Sequence, residues 1–328
     1  LPPFCRDYFR AIDATTTTKT RISYAYDIRI FFQFLLEQNP MFKDKTMSDF
    51  TVDVLDQVKA VDLEEYEEFL KVYKSADSSK TETNGERGVK RKISALRSFY
   101  AYYYKHEMIT TNPSVLIDVP KIHDKNIIRL DTDEVAMLLD YIEHCGDTLT
   151  GQKRMYHEKT KDRDLAIVTL LLGTGIRVSE CVGLDVEDVD FKNNGIKVTR
   201  KGGNEMVVYF GPEVEKALKK YLEVRENITP LAGHEPALFY STQRRRIGVQ
   251  AIENLVKKYA REITTTKKIT PHKLRSTYGT ALYQETGDIY LVADVLGHKD
   301  VNTTKKHYAA LDDARRRQAA KAVRLRED

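Results

Sequence analysis

Six side chains in the second half of the chain have the types and settings to work on a phosphodiester. Arg177 follows a glycine turn in "GTGIRVSE", Lys201 stands in "VTRKGGN", and His272 and Arg275 lie three apart behind a proline in "PHKLRS". His298 comes in "LGHKD" and Tyr308 ten residues later in "KKHYAAL". Two arginines can grip the non-bridging oxygens of a phosphate with paired N–H donors that keep their charge. The negative charge that builds in a pentacoordinate transition state is then stabilised. A phenol, with a pKa of about 10, is a nucleophile whose phosphodiester can be formed and reversed. His272 can take the phenolic proton, since imidazole titrates near neutrality. Lys201 can protonate the departing 5′-oxygen, and His298 can hydrogen-bond the phosphate. Such a set needs no metal and no nucleotide. Each residue also has a plainer use: Arg177 stands three before Glu180, an ion-pair spacing, and Tyr308 is one of 19 tyrosines, most of which must pack.

Elements must bring these residues together. In the first third, residues 23–39, 61–74 and 88–109 carry apolar residues at helical spacing, with a polar, turn-rich loop over 75–88. "TNPSVLIDVPK" closes this unit, and residues 120–130 are polar and aperiodic, as a linker is. Beyond them, 131–145 opens with an acidic first turn suited to a helix start. Residues 145–163 are long and polar for a connection and look inserted. Residues 163–184 read as a buried helix, a glycine turn and a second helix. "GIKVTRKGGNEMVVYF" reads as two alternating strands around a tight turn. Helices are expected over 212–227, 248–262, 271–286, 288–296 and 300–309, with an amphipathic last one after Asp312. The fold class is mainly α: an amino-terminal all-α domain of four to five helices over 1–119, a linker over 120–130, and a larger, mostly α domain over 131–328 with one small antiparallel sheet.

A chain of 328 residues suits two domains better than one. No apolar run reaches membrane-spanning length and no signal segment opens the chain, so a membrane is not a partner. Cys5, Cys145 and Cys181 are odd in number and scattered, which fits reduced thiols in a cytoplasmic protein. The chain begins at Leu1 without a methionine, as a fragment of a longer protein would. Net charge is only +4, but nucleic-acid binding needs a basic face and not a basic total. Residues 1–120 hold 17 Lys and Arg against 18 Asp and Glu, and the remainder 36 against 31, so the positive excess lies in the second part.

"GTGIRVSE", "HKLRSTYGTAL", "LGHKDVNTTKKHYAAL" and the hairpin lysine resemble, in order, the Arg–Lys–His–X–X–Arg–His–Tyr set of the tyrosine recombinases, or phage-integrase-like enzymes. "TRISYAYDIRIFFQFL" and "ISALRSFYAYYYKHEMITTNPSVLIDVPK" are similar to that family's core-binding helices, so the resemblance spans nearly the whole chain. It implies catalytic roles for Arg177, Lys201, His272, Arg275 and His298, with Tyr308 as nucleophile. It implies site-specific cutting and rejoining of double-stranded DNA through a 3′-phosphotyrosine, without cofactor. The motif wording is nearest to integrases of conjugative transposons and related mobile elements of Gram-positive bacteria, hence integration and excision. Ser276 stands where the family often has histidine, and Tyr278 where phenylalanine is common, which bears on the subfamily more than on the chemistry. The resemblance also implies dimers or tetramers on DNA through the tail helix, an excisionase or DNA-bending partner, and an arm-binding domain ahead of Leu1.

Three basic stretches are candidates for DNA contact. "GERGVKRKISALR" sets Arg87, Lys90, Arg91, Lys92 and Arg97 at the start of a long helix, and "TQRRRIG" sets Arg244, Arg245 and Arg246 before another. Lys153 and Arg154, with Gln152, His157 and Lys159, fall in the 145–163 segment. A zinc site from His272, His298 and His307 lacks both H-x-x-x-H and CxxC spacing. Two rivals remain: a type IB-like DNA topoisomerase, with the same chemistry but no defined site, and a catalytically inactive DNA-binding regulator on the same fold.

Overall fold

Aromatic rings at helical spacing build the first core. The computed structural model describes residues 1–74, 81–122, 127–200, 202–298, 300, 301 and 304, and the chain divides into two units, Leu1–Asp124 and Lys125–Asp328. In the first unit α1 (Cys5–Ala11), α2 (Thr18–Gln38), α3 (Val54–Gln57) and α4 (Ala60–Lys71) are followed by the short strands β1 (Val72–Lys74) and β2 (Thr81–Thr83) and the long α5 (Glu86–Lys105). Thr17 caps α2 by accepting from the Thr20 N–H, and Asn39 stops it, its side chain accepting from Met41 N–H ahead of the turn at Pro40. Phe31, Phe32, Tyr66, Phe99 and Tyr103 are buried between α2, α4 and α5, several as edge-to-face pairs.

The second unit is built around a long central helix. Its order is α6 (Thr132–His144), α7 (Gly151–Thr174), α8 (Val178–Gly183), then β3 (Val189–Asp190), β4 (Gly195–Thr199) and β5 (Glu205–Tyr209), then α9 (Pro212–Glu226), α10 (Val249–Ile263), α11 (Pro271–Thr286) and α12 (Ile289–Leu296). The run Ala166–Leu171 on α7 is buried against Leu138 and Ile142 of α6, Leu218 and Tyr221 of α9, and Ile252 and Tyr259 of α10. The strands form an antiparallel sheet in the order β3-β4-β5, with Ile196 opposite both Val189 and Val208. A satellite cluster of Tyr283, Val292 and Leu296 holds α12 on α11.

Four expectations change. Residues 145–163 are not an inserted connection: from Gly151 onward they are the first half of α7. Their polarity has an internal use. Buried His157 lies 3.5 Å from the Cys145 thiol, and buried Asp164 accepts from the Tyr259 hydroxyl at 3.0 Å and pairs with Arg163 at 2.6 Å. The helix expected over 61–74 ends at Lys71 and gives way to β1, while its partner β2, with Thr83 opposite Val72, and the start of α5 at Glu86 both fall inside the loop expected over 75–88. The sheet has a third strand, β3. Within the stretch read as a linker, Ile127 packs on the satellite cluster, while buried Leu130 donates its N–H to the Thr277 hydroxyl at 3.0 Å. The helices expected over 300–309 and after Asp312 lie almost wholly outside the described residues. All three cysteines are free and buried, Cys5 in the first unit and Cys145 and Cys181 in the second. No helix among the described residues is long and apolar enough to cross a membrane.

Candidate active site

Arg177 is placed by the way α7 ends. Gly175 closes that helix in the left-handed conformation, φ +63°, and a Cβ there would strike the ring of Tyr278 and the side chain of Leu296. Two residues on, Arg177 caps α8. Its backbone N–H donates to Glu180 Oε2 at 2.8 Å, and its Nη1 to Glu180 Oε1 at 2.7 Å. Glu180 is buried, whereas the Arg177 side chain keeps 37% of its exposure. The ion pair read from the i,i+3 spacing is therefore present. It holds the guanidinium while its other arm, Nη2, donates to the Gly297 carbonyl at 3.2 Å.

Arg275 comes from α11, whose first turn is set by Thr270 at the N-cap and Pro271 behind it. Only 4% of Arg275 is exposed. Its Nη1 donates to the Gly175 carbonyl and its Nη2 to the Leu296 carbonyl. His272, one turn earlier on the same helix, is exposed to solvent, and its carbonyl accepts from the Ser276 hydroxyl at 3.1 Å.

Both arginines thus reach the end of α12, where His298 begins. That end is a Schellman motif: Gly297 is left-handed at φ +60° and donates to the Asp294 carbonyl at 2.8 Å, and His298 N–H donates to the Ala293 carbonyl at 2.9 Å. The His298 ring shares a 2.7 Å hydrogen bond, through Nδ1, with the hydroxyl of buried Thr304. The structure therefore gathers Arg177, Arg275 and His298 around one turn, with His272 one helical turn from Arg275. Lys201 and Tyr308 lie outside the described residues. Among those described, no three His, Cys, Asp or Glu side chains gather to hold a metal ion.

A third arginine, not anticipated, joins this turn. Arg200 leaves the end of β4 and donates from Nη2 to the Val295 carbonyl at 2.8 Å and from Nη1 to the Asp294 carbonyl at 3.4 Å. Burial, opposed by Glu180 and reinforced by Arg177, lowers its pKa from the ordinary arginine value. Its Nε–H is buried with no acceptor among the described residues, a cost of about 1–3 kcal/mol that the rest of its contacts must outweigh. A signal for it existed in the sequence. Strand alternation puts Arg200 on the side of the buried Ile196 and Val198, and a charged residue on a core-facing position implies a partner.

The basic stretches divide between surface and interior. Arg87, Lys90, Arg244, Arg245, Lys153 and Arg154 are exposed. Lys92 is not a surface contact: it is buried and donates to Asn84 Oδ1 at 2.9 Å. Arg97 donates to the Ser114 and Ile117 carbonyls, at 2.9 and 2.6 Å, and so ties down the segment after α5. Arg91 is half-exposed and pairs with buried Asp27. Arg246 pairs with Asp185 and donates to the Val182 and Leu184 carbonyls. The three arginines of "TQRRRIG" precede α10 but lie outside its first turn, in a turn closed by a Tyr240–Arg246 bridge ahead of Gly248, the N-cap of α10.

The sequence profile described as "Phage integrase family" matches residues 129–315. The chain belongs to that family. Its members include a tyrosine recombinase XerC from Caldanaerobacter subterraneus subsp. tengcongensis, 32% identical over 97% of this chain and 86% of that protein. Tyrosine recombinase XerS from Lactococcus lactis subsp. cremoris is 30% identical over 93% of this chain and 90% of that protein. The phage-integrase fold recurs in the Tn1549 transposon integrase solved with circular intermediate DNA, with a TM-score of 0.68 at 22% identity over 98% of this chain and 99% of that one. It recurs again in the XerH site-specific recombinase bound to its difH substrate, with a TM-score of 0.63 at 20% identity over 90% and 78%. The chain is thus an enzyme of the tyrosine recombinase type, mostly helical with small antiparallel sheets.

Proposed function

We propose that this recombinase cuts and rejoins DNA at a defined site through Tyr308, in the integration and excision of a mobile element. The observation that carries the reading is the meeting of Arg177, Arg275 and His298 at one turn. Two guanidiniums that never lose their charge stand beside an imidazole, the electrostatics a pentacoordinate phosphate requires. In the proposed reaction the Tyr308 oxygen attacks the scissile phosphorus as its proton passes to His272. The bond to the 5′-oxygen then breaks, and Lys201 gives that oxygen a proton. The product is a 3′-phosphotyrosine and a free 5′-hydroxyl. The bond energy is conserved, so reversal rejoins the strand without ATP. The motif wording and the likeness to a transposon integrase support element ends as the substrate, and the exposed basic residues support duplex DNA as the partner.

The test is a nicked duplex carrying an element-end sequence, incubated without divalent metal and run on a denaturing gel. Wild type is expected to form a protein–DNA adduct that Tyr308→Phe abolishes while keeping DNA affinity. An adduct that persists in Tyr308→Phe moves the nucleophile elsewhere. Binding with no adduct on any site returns the inactive-regulator reading, and relaxation of a plasmid lacking the site returns the topoisomerase.

A further inference from the structure

We infer that Arg200 is a positioning residue for the proton donor: it fastens the hairpin that carries Lys201 to the turn that carries His298. The inference rests on the reading of Lys201 as general acid. Arg200 lies at the base of the β4–β5 connection, where its N–H donates to the Asn204 carbonyl at 2.8 Å and its carbonyl accepts from Gly203 N–H at 3.0 Å. Gly202 and Gly203 both have positive φ, +99° and +83°, so the connection is built from residues that resist no backbone change. A two-stranded tip of that kind has little of its own to fix it in space.

The fork of Arg200 supplies the fixing. The last turn of an α-helix leaves its carbonyls without intrahelical partners and at the negative end of the helix dipole. At α12 three arginines take them up: Val295 goes to Arg200, Leu296 to Arg275 and Gly297 to Arg177, while Asp294, which already accepts from Gly297 N–H, takes a longer second bond from Arg200 at 3.4 Å. Gly297 fits the same arrangement, because a Cβ on it would collide with the Arg200 guanidinium. Lys201 is covalently next to Arg200. The residue before the lysine is thereby tied to the same helix end that Arg177 and Arg275 bind, the end that leads into His298. A general acid must lie within hydrogen-bond reach of the leaving oxygen, and Arg200 sets that reach across a connection of glycines.

A leaving group that needs no acid separates this role from simple stability. On a scissile phosphate with a 5′-bridging sulfur the thiolate departs unprotonated, since a thiol's pKa is about 8.5. Adduct formation by wild type, Lys201→Ala and Arg200→Met is compared on oxygen and sulfur substrates that are otherwise identical. Lys201→Ala should lose about 10²–10⁴-fold on oxygen and be restored on sulfur. Arg200→Met should lose about 10²-fold on oxygen, as a misplaced catalytic group does, and be restored on sulfur as well. If Arg200→Met is slow on both substrates while Lys201→Ala is rescued, Arg200 serves stability alone and the inference fails. A full rate on oxygen overturns it too. If Lys201→Ala is not rescued, the general-acid reading itself falls and the inference with it. Should Arg200→Met not fold, Arg200→Lys, which keeps charge and one donor but not the fork, enters the same pair of assays with the same criteria.

Discussion

Arg177 has two tasks that mutation can separate. Its side chain neutralises Glu180, a buried carboxylate, and it also offers a partly exposed guanidinium to the proposed phosphate. Arg177→Ala should therefore lose cleavage and also leave a buried charge unmet, lowering stability by about 1–3 kcal/mol. Arg177→Ala combined with Glu180→Gln should recover much of the melting temperature, because the unmet charge is gone, and none of the cleavage. Thermal melts beside the adduct assay check this. Recovery of cleavage in the double variant would show that Arg177 acts only on Glu180. The pairing was legible as a spacing of three, and so was the pair His272 and Arg275 behind Pro271. What spacing could not reveal was the common target, since Gly175, Leu296 and Gly297 lie about one hundred residues or more from the arginines that bind them across the fold, apart from the Arg275–Leu296 pair.

At the scale of elements, α7 shows what a polar composition conceals. Residues 151–164 look like surface because residues such as His157, Thr160 and Asp164 are polar, yet these three are buried and share one stripe of the helix. Burial holds the His157 pKa below its usual value; Lys258 and Lys161 act in the same sense, with Glu158 and Asp164 opposing. In the unfolded chain the same histidine protonates near pH 6.5. Its contribution to stability is therefore complete above about 6.5 and is lost as pH falls below that, because the unfolded state takes up a proton the native state resists. The drop in melting temperature from pH 7.5 to 5.5 should be smaller in His157→Gln than in wild type; equal drops would remove His157 from the account. The helices α9 to α12 were legible almost to the residue, because apolar periodicity is clear in each and is bounded by Pro212 and Pro271 at the starts of α9 and α11 and by Gly287 and Gly297 at the ends of α11 and α12. The strands β1, β2 and β3 were not, having too few residues to show alternation. Arg200 could have been found by following that alternation one residue past the end of β4.

For the whole molecule, the basic residues sort by where their charge is used. Arg87 and Lys90 face solvent, while Arg97 is committed to carbonyls within its own unit. If the exposed pair meets phosphates, replacing both by alanine should reduce the slope of log affinity against log salt by roughly 2, at about 0.9 per contact. Arg97→Met should leave that slope unchanged and lower the melting temperature, since two carbonyls lose their donor. Titrations at several salt concentrations decide between them, and an unchanged slope for Arg87 and Lys90 would take that face off the DNA.

The buried cysteines offer a consequence of another kind. Burial pushes the thiols of Cys5 and Cys181 up to about 12 and raises that of Cys145, so at neutral pH none presents a thiolate to an alkylating reagent. A maleimide can reach them only when the surrounding core opens. Because Cys5 lies in one core while Cys145 and Cys181 lie in the other, the chain carries an internal clock for each unit. Peptide mapping of alkylation over time would read the opening rate of either unit separately, and would show which of them DNA holds shut.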